Sequence, residues 1–235
     1  MYIAFLSLLL LPFIVLTIIN TLKRKKSKDT IITEKMQFKM YIQSIAFLWG
    51  MTLAIFIMCL IGNISLENLG FRRVSFRYNI WFTVVTLILN GLALFYFVYQ
   101  LIMSLISKKW REKQLTDIDQ GTLGVLPRTK KEKCFYSFMA LSAGICEEII
   151  YRGFLVFLLQ AIFPNMPIYF IILIPSLLFG ISHFYQGLQG VISTGVLGLL
   201  FMSLFIATDS LFLAMLLHFF VDFSATFVLS EEQAK

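Results

Sequence analysis

The chain has 235 residues, of which 59% are hydrophobic and only 14% are charged, and its mean hydropathy is +0.84. Soluble domains are about 45–50% apolar and about 25% charged. The composition therefore excludes a water-soluble globule, a disordered chain and a disulfide scaffold. The net charge of +7 gathers in loops beside apolar segments, which is typical of cytoplasmic loops facing anionic lipid rather than of nucleic-acid binding.

Long apolar segments predict an all-α polytopic membrane protein with about seven to eight transmembrane helices in a bundle. Helices are expected because unpaired backbone groups are not tolerated in lipid, and because the apolar runs are too long for barrel strands. The seven predicted segments are 2–22, 40–62, 80–106, 134–163, 168–185, 188–207 and 210–229. An eighth helix results if the fourth segment, 134–163, is split into two.

The positive charges of the loops predict the orientation in the membrane. Loops 23–39 and 107–133 contain 7 and 8 Lys and Arg residues, whereas loop 63–79 contains 3. The positive-inside rule places the two richer loops in the cytoplasm, the amino terminus outside and the carboxyl terminus inside. We expect a multi-pass protein of the cell membrane, and the Lys-, Ile- and Phe-rich composition suggests a bacterial source.

The long polar segment before residue 134 suggests a division of the chain into two parts. Residues 1–133 form a three-span region with basic cytoplasmic loops, and residues 134–235 form a core of about four helices. Ionisable residues occur within apolar surroundings in the core, where a charge costs at least about 2.5–3.5 kcal/mol on insertion scales. Both histidines of the chain are among them, and the set is Glu147, Glu148, Arg152, His183, His218 and Asp222.

The spacing of these residues predicts which of them share a helix face. Glu148 and Arg152 are four residues apart and can pair, whereas Glu147 points about 100° away and stays free for another task. Two further pairs have the same spacing and so share a face each: Phe179 with His183, and His218 with Asp222. Three helices thus present polar faces that could converge on one water-filled intramembrane cavity.

The residue types in this set suit hydrolysis of a carbonyl group such as a peptide bond. A carboxylate beside an imidazole can take a proton from water and return it to a leaving group, and a second histidine can stabilise an oxyanion. Glu147, His183 and His218 are also sufficient to hold zinc with one open position. The motifs G-x-S-x-G, H-E-x-x-H and G-x-G-D are absent from the sequence.

Three motifs in this order resemble those of the CPBP family of intramembrane proteases, which comprises CAAX proteases and bacteriocin-processing (Abi) proteins. They are E-E-x-x-x-R at Glu147, Glu148 and Arg152, F-x-x-x-H at Phe179–His183, and H-x-x-x-D at His218–Asp222. The resemblance covers about residues 134–229. It implies a conical helix bundle with a catalytic cavity that opens toward the cytoplasm.

The resemblance also implies roles for the motif residues. Glu147 becomes the general base with His183 as its partner in activating water, and Arg152 anchors Glu148. By the same analogy, His218 and Asp222 form the oxyanion-stabilising pair. The family often has Asn where this chain has Asp222, and an ionised aspartate cannot donate a hydrogen bond, so Asp222 would carry a proton or position His218.

The expected activity is that of an intramembrane endopeptidase acting on a membrane-associated peptide or protein. No cofactor is favoured, although zinc stays open, and no nucleic-acid partner is expected. One alternative is a non-catalytic scaffold that regulates a partner enzyme or sensor kinase, or a protein of bacteriocin self-immunity. The other alternative is a small transporter that uses the same buried charges. The sequence does not show the repeated halves from which many transporters are built.

Overall fold

The computed structural model describes residues 1–9, 11, 12, 15, 33–76, 78–118 and 120–229. The described residues are mostly helical and contain no strand, which confirms the all-α class. The α-helices from residue 33 onward are α1 (Glu34–Gly62), α2 (Ile80–Ile106), α3 (Lys108–Asp117), α4 (Gln120–Leu123), α5 (Lys130–Glu148), α6 (Val156–Ile162), α7 (Ile168–Ser182), α8 (Gly187–Thr208) and α9 (Leu211–Ser224).

Several helices have the length and composition of membrane spans. α1, α2 and the stretch Phe184–Thr208 are long and apolar enough to cross a membrane, whereas Ile168–Ser182 and Leu211–Phe227 are apolar but shorter. Of the predicted first span, residues 2–9, 11, 12 and 15 are helical. The rest of that span, loop residues 23–32 and the carboxyl-terminal tail from 230 lie outside the described residues.

The predicted fourth span is helical almost throughout, but it begins earlier than expected and changes its winding. The reason for the early start is a capping box, in which Thr129 accepts from the backbone of Glu132 and the Glu132 carboxylate accepts from the Thr129 N–H. A π-helix, Ile149–Leu155, then follows α5 directly and leads into α6. The segment is therefore one continuous helical stretch rather than two separate spans.

The polar segment before α5 is more ordered than a loop. It contains α3, which folds back on the end of α2 through hydrogen bonds from Trp110 Nε1 to Gln100 Oε1 (3.0 Å) and from Arg111 Nη1 to the Ser104 carbonyl (2.6 Å). Further on, the buried side chain of Gln37 donates to the Leu126 carbonyl (2.5 Å). These contacts tie the connection between the two parts of the chain to α1 and α2.

Glycines let the core helices approach closely where the polar residues lie. A Cβ on Gly144 in α5 would lie 2.8 Å from the backbone nitrogen of Phe219 in α9. Likewise, a Cβ on Gly180 in α7 would lie 3.1 Å from the Cα of Gly195 in α8. Helices that pack at backbone contact bring the side chains beside each glycine within hydrogen-bond reach of the neighbouring helix.

Candidate active site

The π-helix places a fully buried ion pair at the centre of the core. Arg152 Nη1 donates to Glu148 Oε1 (2.9 Å), and both side chains are 0% exposed. Arg152 Nη2 donates to the Gly198 carbonyl of α8 (3.0 Å), and the guanidinium lies over the rings of Phe179 and Phe201, 4.7 and 5.4 Å from their centroids. The arginine therefore links three helices, since it bonds or packs against α5, α7 and α8.

His218 of α9 is held by the same carboxylate. Its Nδ1 lies 2.8 Å from Glu148 Oε1, an oxygen that also accepts from Arg152, so Nδ1 is the donor. The ring stacks on Phe201 with centroids 4.8 Å apart. Because Nδ1 is occupied, Nε2 is the nitrogen that faces the rest of the polar cluster.

Two further carboxylates approach Nε2 of His218. Glu147 Oε2 lies at 3.7 Å and Asp222 Oδ2 at 3.5 Å. These side chains are partly open, with exposures of 17% and 35%, whereas Glu148 is fully buried. The consecutive residues Glu147 and Glu148 thus have different surroundings. Glu148 lies between two nitrogen donors, whereas Glu147 is partly exposed.

Glu147 and Glu148 differ in how their oxygens are used. Within the described part of the chain, the buried Oε2 atom of each has no hydrogen-bond partner, but Glu148 still accepts from Arg152 and His218 through Oε1. Glu147 Oε2 lies 3.7 Å from Nε2 of His218 and within electrostatic range of His183. A carboxylate oxygen that accepts no hydrogen bond is a place where a solvent or substrate proton can be bound.

His183 follows the last residue of α7 and caps that helix. Its Nδ1 lies 2.8 Å from the Phe179 carbonyl and 3.1 Å from Ser182 Oγ. Its ring also contacts the Phe179 ring, with centroids 4.8 Å apart. The predicted pairing of Phe179 and His183 on one face is present, although His183 itself has left the α-helix.

The comparison with known families agrees with this geometry. Residues 131–224 match the family model described as Type II CAAX prenyl endopeptidase Rce1-like. We refer to residues 131–224, which are similar to this family, as the Rce1-like segment. No curated protein and no solved structure matches the chain. The match covers all three motifs and confirms the resemblance of this segment to CPBP proteases.

The Rce1-like segment brings together the residues that the sequence singled out. Glu148 pairs with Arg152 as the spacing predicts, and Glu147 instead faces Nε2 of His218 at 3.7 Å. The sequence does not predict that His218 bonds to Glu148, because a contact between α5 and α9 depends on tertiary packing. The catalytic roles of Glu147, His183, His218 and Asp222 stay predictions.

Other residues of the Rce1-like segment contribute to the site without a sequence signal of their own. Phe201 supports both Arg152 and His218, yet it lies in a continuous apolar run. The Gly198 carbonyl is a backbone group, which no side-chain motif reports. Ser182 belongs to no motif, and only its position next to the predicted His183 could have indicated a contribution to the site.

The zinc alternative requires Glu147, His183 and His218 to converge as ligands. Among the residues that the structure describes, no three His, Cys, Asp or Glu side chains are grouped so that they could hold a metal ion. Nδ1 of His218 is bound to Glu148 and Nδ1 of His183 to a carbonyl, which leaves Nε2 of each ring open, as in metal-ligating histidines. As the described side chains stand, however, they are not gathered into a three-ligand zinc site.

Proposed function

We propose that the chain is an intramembrane endopeptidase that hydrolyses a peptide bond of a membrane-associated substrate with water activated by Glu147 and His183. The observation that carries the proposal is Glu147 Oε2, which accepts no hydrogen bond within the described residues and lies beside His218 and within electrostatic range of His183. The match of residues 131–224 to a protease family supports the same conclusion.

The proposed reaction uses the two histidines differently. A water molecule between Glu147 and His183 gives a proton to Glu147, and its oxygen attacks the carbonyl carbon of the peptide. The carbonyl π electrons move to oxygen, and the N–H at Nε2 of His218 donates to this oxyanion. Collapse of the intermediate breaks the C–N bond as Glu147 returns the proton to the leaving nitrogen.

The remaining residues hold these groups in place. Arg152 and Glu148 fix the ring of His218 through Nδ1, so that Nε2 faces Glu147 and Asp222. Asp222 lies 3.5 Å from Nε2 and favours the protonated nitrogen there, which agrees with a positioning role rather than with donation to the oxyanion.

The proposal is tested by reconstituting the purified protein in lipid with a set of membrane-anchored fluorogenic peptides. Glu147→Gln and His183→Ala are expected to lower cleavage at least about 100-fold, since general acid–base groups contribute this much or more. Glu112→Gln, on the exposed face of α3, is the matched control with wild-type activity. Wild-type rates in either site variant would overturn the proposal.

The same assay distinguishes hydrolysis from a scaffold function and from metal catalysis. A scaffold predicts that the cellular phenotype survives Glu147→Gln and His183→Ala but is lost on changes in the loops or in the first 133 residues. For the metal, the expectation is full cleavage after dialysis against a strong chelator, with metal content measured on the same sample. Loss of activity that zinc alone restores would contradict the metal-free mechanism.

A further inference from the structure

The end of α7 holds the ring of His183 in one orientation. The last four carbonyls of an α-helix lack the usual backbone partner four residues ahead. Here the backbone N–H of His183 bonds to the Gly180 carbonyl instead (3.0 Å), so the Phe179 carbonyl is available to side chains. His183 has φ −92° and ψ 16°, in the bridge region of backbone conformations, which turns its ring back onto that carbonyl.

Two side chains use this carbonyl. His183 Nδ1 lies 2.8 Å from it and Ser182 Oγ donates to it at 2.7 Å, while Oγ and Nδ1 are 3.1 Å apart. A carbonyl oxygen can only accept, so Nδ1 of His183 must carry the proton. The hydroxyl of Ser182 gives its own proton to the carbonyl and presents a lone pair to the same Nδ1–H.

Phe179 connects this helix end to the π-helix. Tyr151 lies one turn after Glu147, and its ring packs edge-on against Phe179, with centroids 5.1 Å apart. The Phe179 ring also contacts the His183 ring, with centroids 4.8 Å apart. A change at Ser182 therefore acts on His183 through the Phe179 carbonyl that both side chains share.

We propose that Ser182 is a positioning residue which, with the Phe179 carbonyl, fixes His183 as the tautomer protonated on Nδ1. Nε2 of His183 then carries a lone pair and accepts a hydrogen bond from the water that Glu147 deprotonates. This refinement rests on the proposed function for its consequence in catalysis. The tautomer itself is measured without any activity, so the two claims fail separately.

The test uses the fact that the chain has two histidines in total. Protein labelled with ¹⁵N-histidine gives two imidazoles in a nuclear magnetic resonance spectrum, and His218→Gln assigns them. In the wild type we expect His183 to be neutral with its proton on Nδ1. A His183 ring protonated on Nε2, in either the neutral or the charged form, would overturn the proposal.

Variants at position 182 test the contribution of the hydroxyl. Ser182→Ala is expected to give a mixture of His183 tautomers and to lower kcat about three- to tenfold with KM unchanged, which is the effect of one hydrogen bond. Ser182→Thr keeps a hydroxyl and is expected to restore both readouts. Ser176→Ala removes a matching serine–carbonyl bond six residues earlier in α7 and serves as the control.

The outcomes separate positioning from simple loss of folding. A wild-type tautomer and wild-type kcat in Ser182→Ala would overturn the role of Ser182. A fall in kcat that is equal in Ser182→Ala and Ser176→Ala would also overturn it, because it would report general destabilisation of α7. A fixed Nδ1–H tautomer without peptide cleavage by the wild type would leave the tautomer assignment standing and refute the proposed hydrolase.

Discussion

At the scale of single residues, the site is a chain of buried charges in which each group depends on its neighbour. Glu148 accepts from Arg152 and from His218, and all three side chains are at most 3% exposed. Removing one partner from such a pair leaves an uncompensated buried charge, which costs about 3–5 kcal/mol, far more than a surface pair contributes. We therefore expect Glu148 to matter mainly for stability and Glu147, its neighbour in the sequence, to matter mainly for catalysis.

The buried arginine gives the first prediction. Arg152→Met removes the partner of Glu148 and is expected to lower the free energy of unfolding by about 3–5 kcal/mol. Arg72→Met is the control, because its ion pair with Asp209 is 37% and 28% exposed and is worth about 0–1 kcal/mol. Denaturant unfolding in detergent measures both, and equal losses would contradict the buried role of Arg152.

The two consecutive glutamates give the second prediction. Glu148→Gln is expected to destabilise the protein by about 1–3 kcal/mol, because the neutral amide weakens two charged hydrogen bonds. Glu147→Gln is expected to change stability by less than about 1 kcal/mol while abolishing cleavage, since Glu147 Oε2 accepts no hydrogen bond within the described residues and its contact with Nε2 of His218 is 3.7 Å long. Thermal unfolding and peptide cleavage are measured on both variants, and the reverse pattern would exchange the two roles.

At the scale of helices, close approach at Gly144 sets the distance between α5 and α9. Gly144 is one turn before Glu148, and Phe219 follows His218 directly. The hydrogen bond between His218 and Glu148 thus lies one turn from the point where the two backbones touch. A side chain at position 144 would push α9 away and stretch this bond.

Gly144→Ala is the third prediction. Its Cβ would meet the backbone of Phe219 at 2.8–3.0 Å, so α9 must shift, and we expect a loss of about 1–3 kcal/mol in stability together with at least tenfold slower cleavage. Gly91→Ala in α2 is the matched control, because no atom lies within 4 Å of its Cβ and alanine favours a helix by about 0.5–1 kcal/mol. Unchanged cleavage in Gly144→Ala would show that the site tolerates the shift.

At the scale of the whole molecule, the amino-terminal part packs against the core on the side of loop 63–79. The Leu69 carbonyl lies 2.9 Å from where a Cβ on Gly153 would be, and the Leu211 N–H at the start of α9 donates to the Gly70 carbonyl (3.0 Å). Ser210 Oγ donates to the Arg72 carbonyl (2.7 Å). One loop thus contacts both the π-helix and the beginning of α9, the segments that carry Arg152 and His218.

The orientation in the membrane is the fourth prediction. Cys134 is exposed near the start of α5, whereas Cys59 and Cys146 are buried. A membrane-impermeant maleimide is expected to label Cys134 in inverted vesicles and not in intact cells, because the positive-inside rule places 107–133 in the cytoplasm. Glu67→Cys, in the loop 63–79 of a Cys134→Ser background, is expected to show the opposite pattern. If Cys134 and the cysteine introduced at position 67 were labelled from the same side of the membrane, the predicted topology would be wrong.

The sequence by itself determined the helical class, the boundaries of α2 and the pairing of Glu148 with Arg152. These depend on composition, hydrophobic length and spacing along one helix, which are local properties. It also singled out Glu147, His183, His218 and Asp222 as candidate site residues, because an ionisable residue among apolar ones is expensive. The family match is likewise a property of the sequence.

Only the tertiary structure decided how these residues meet. The bond from His218 to Glu148 joins residues 70 positions apart, and the stacking of Phe201 under Arg152 and His218 joins three helices. The orientation of His183 depends on where α7 ends and on which carbonyl that end leaves available. Such features arise from the approach of one backbone to another, which no residue pattern along the chain specifies.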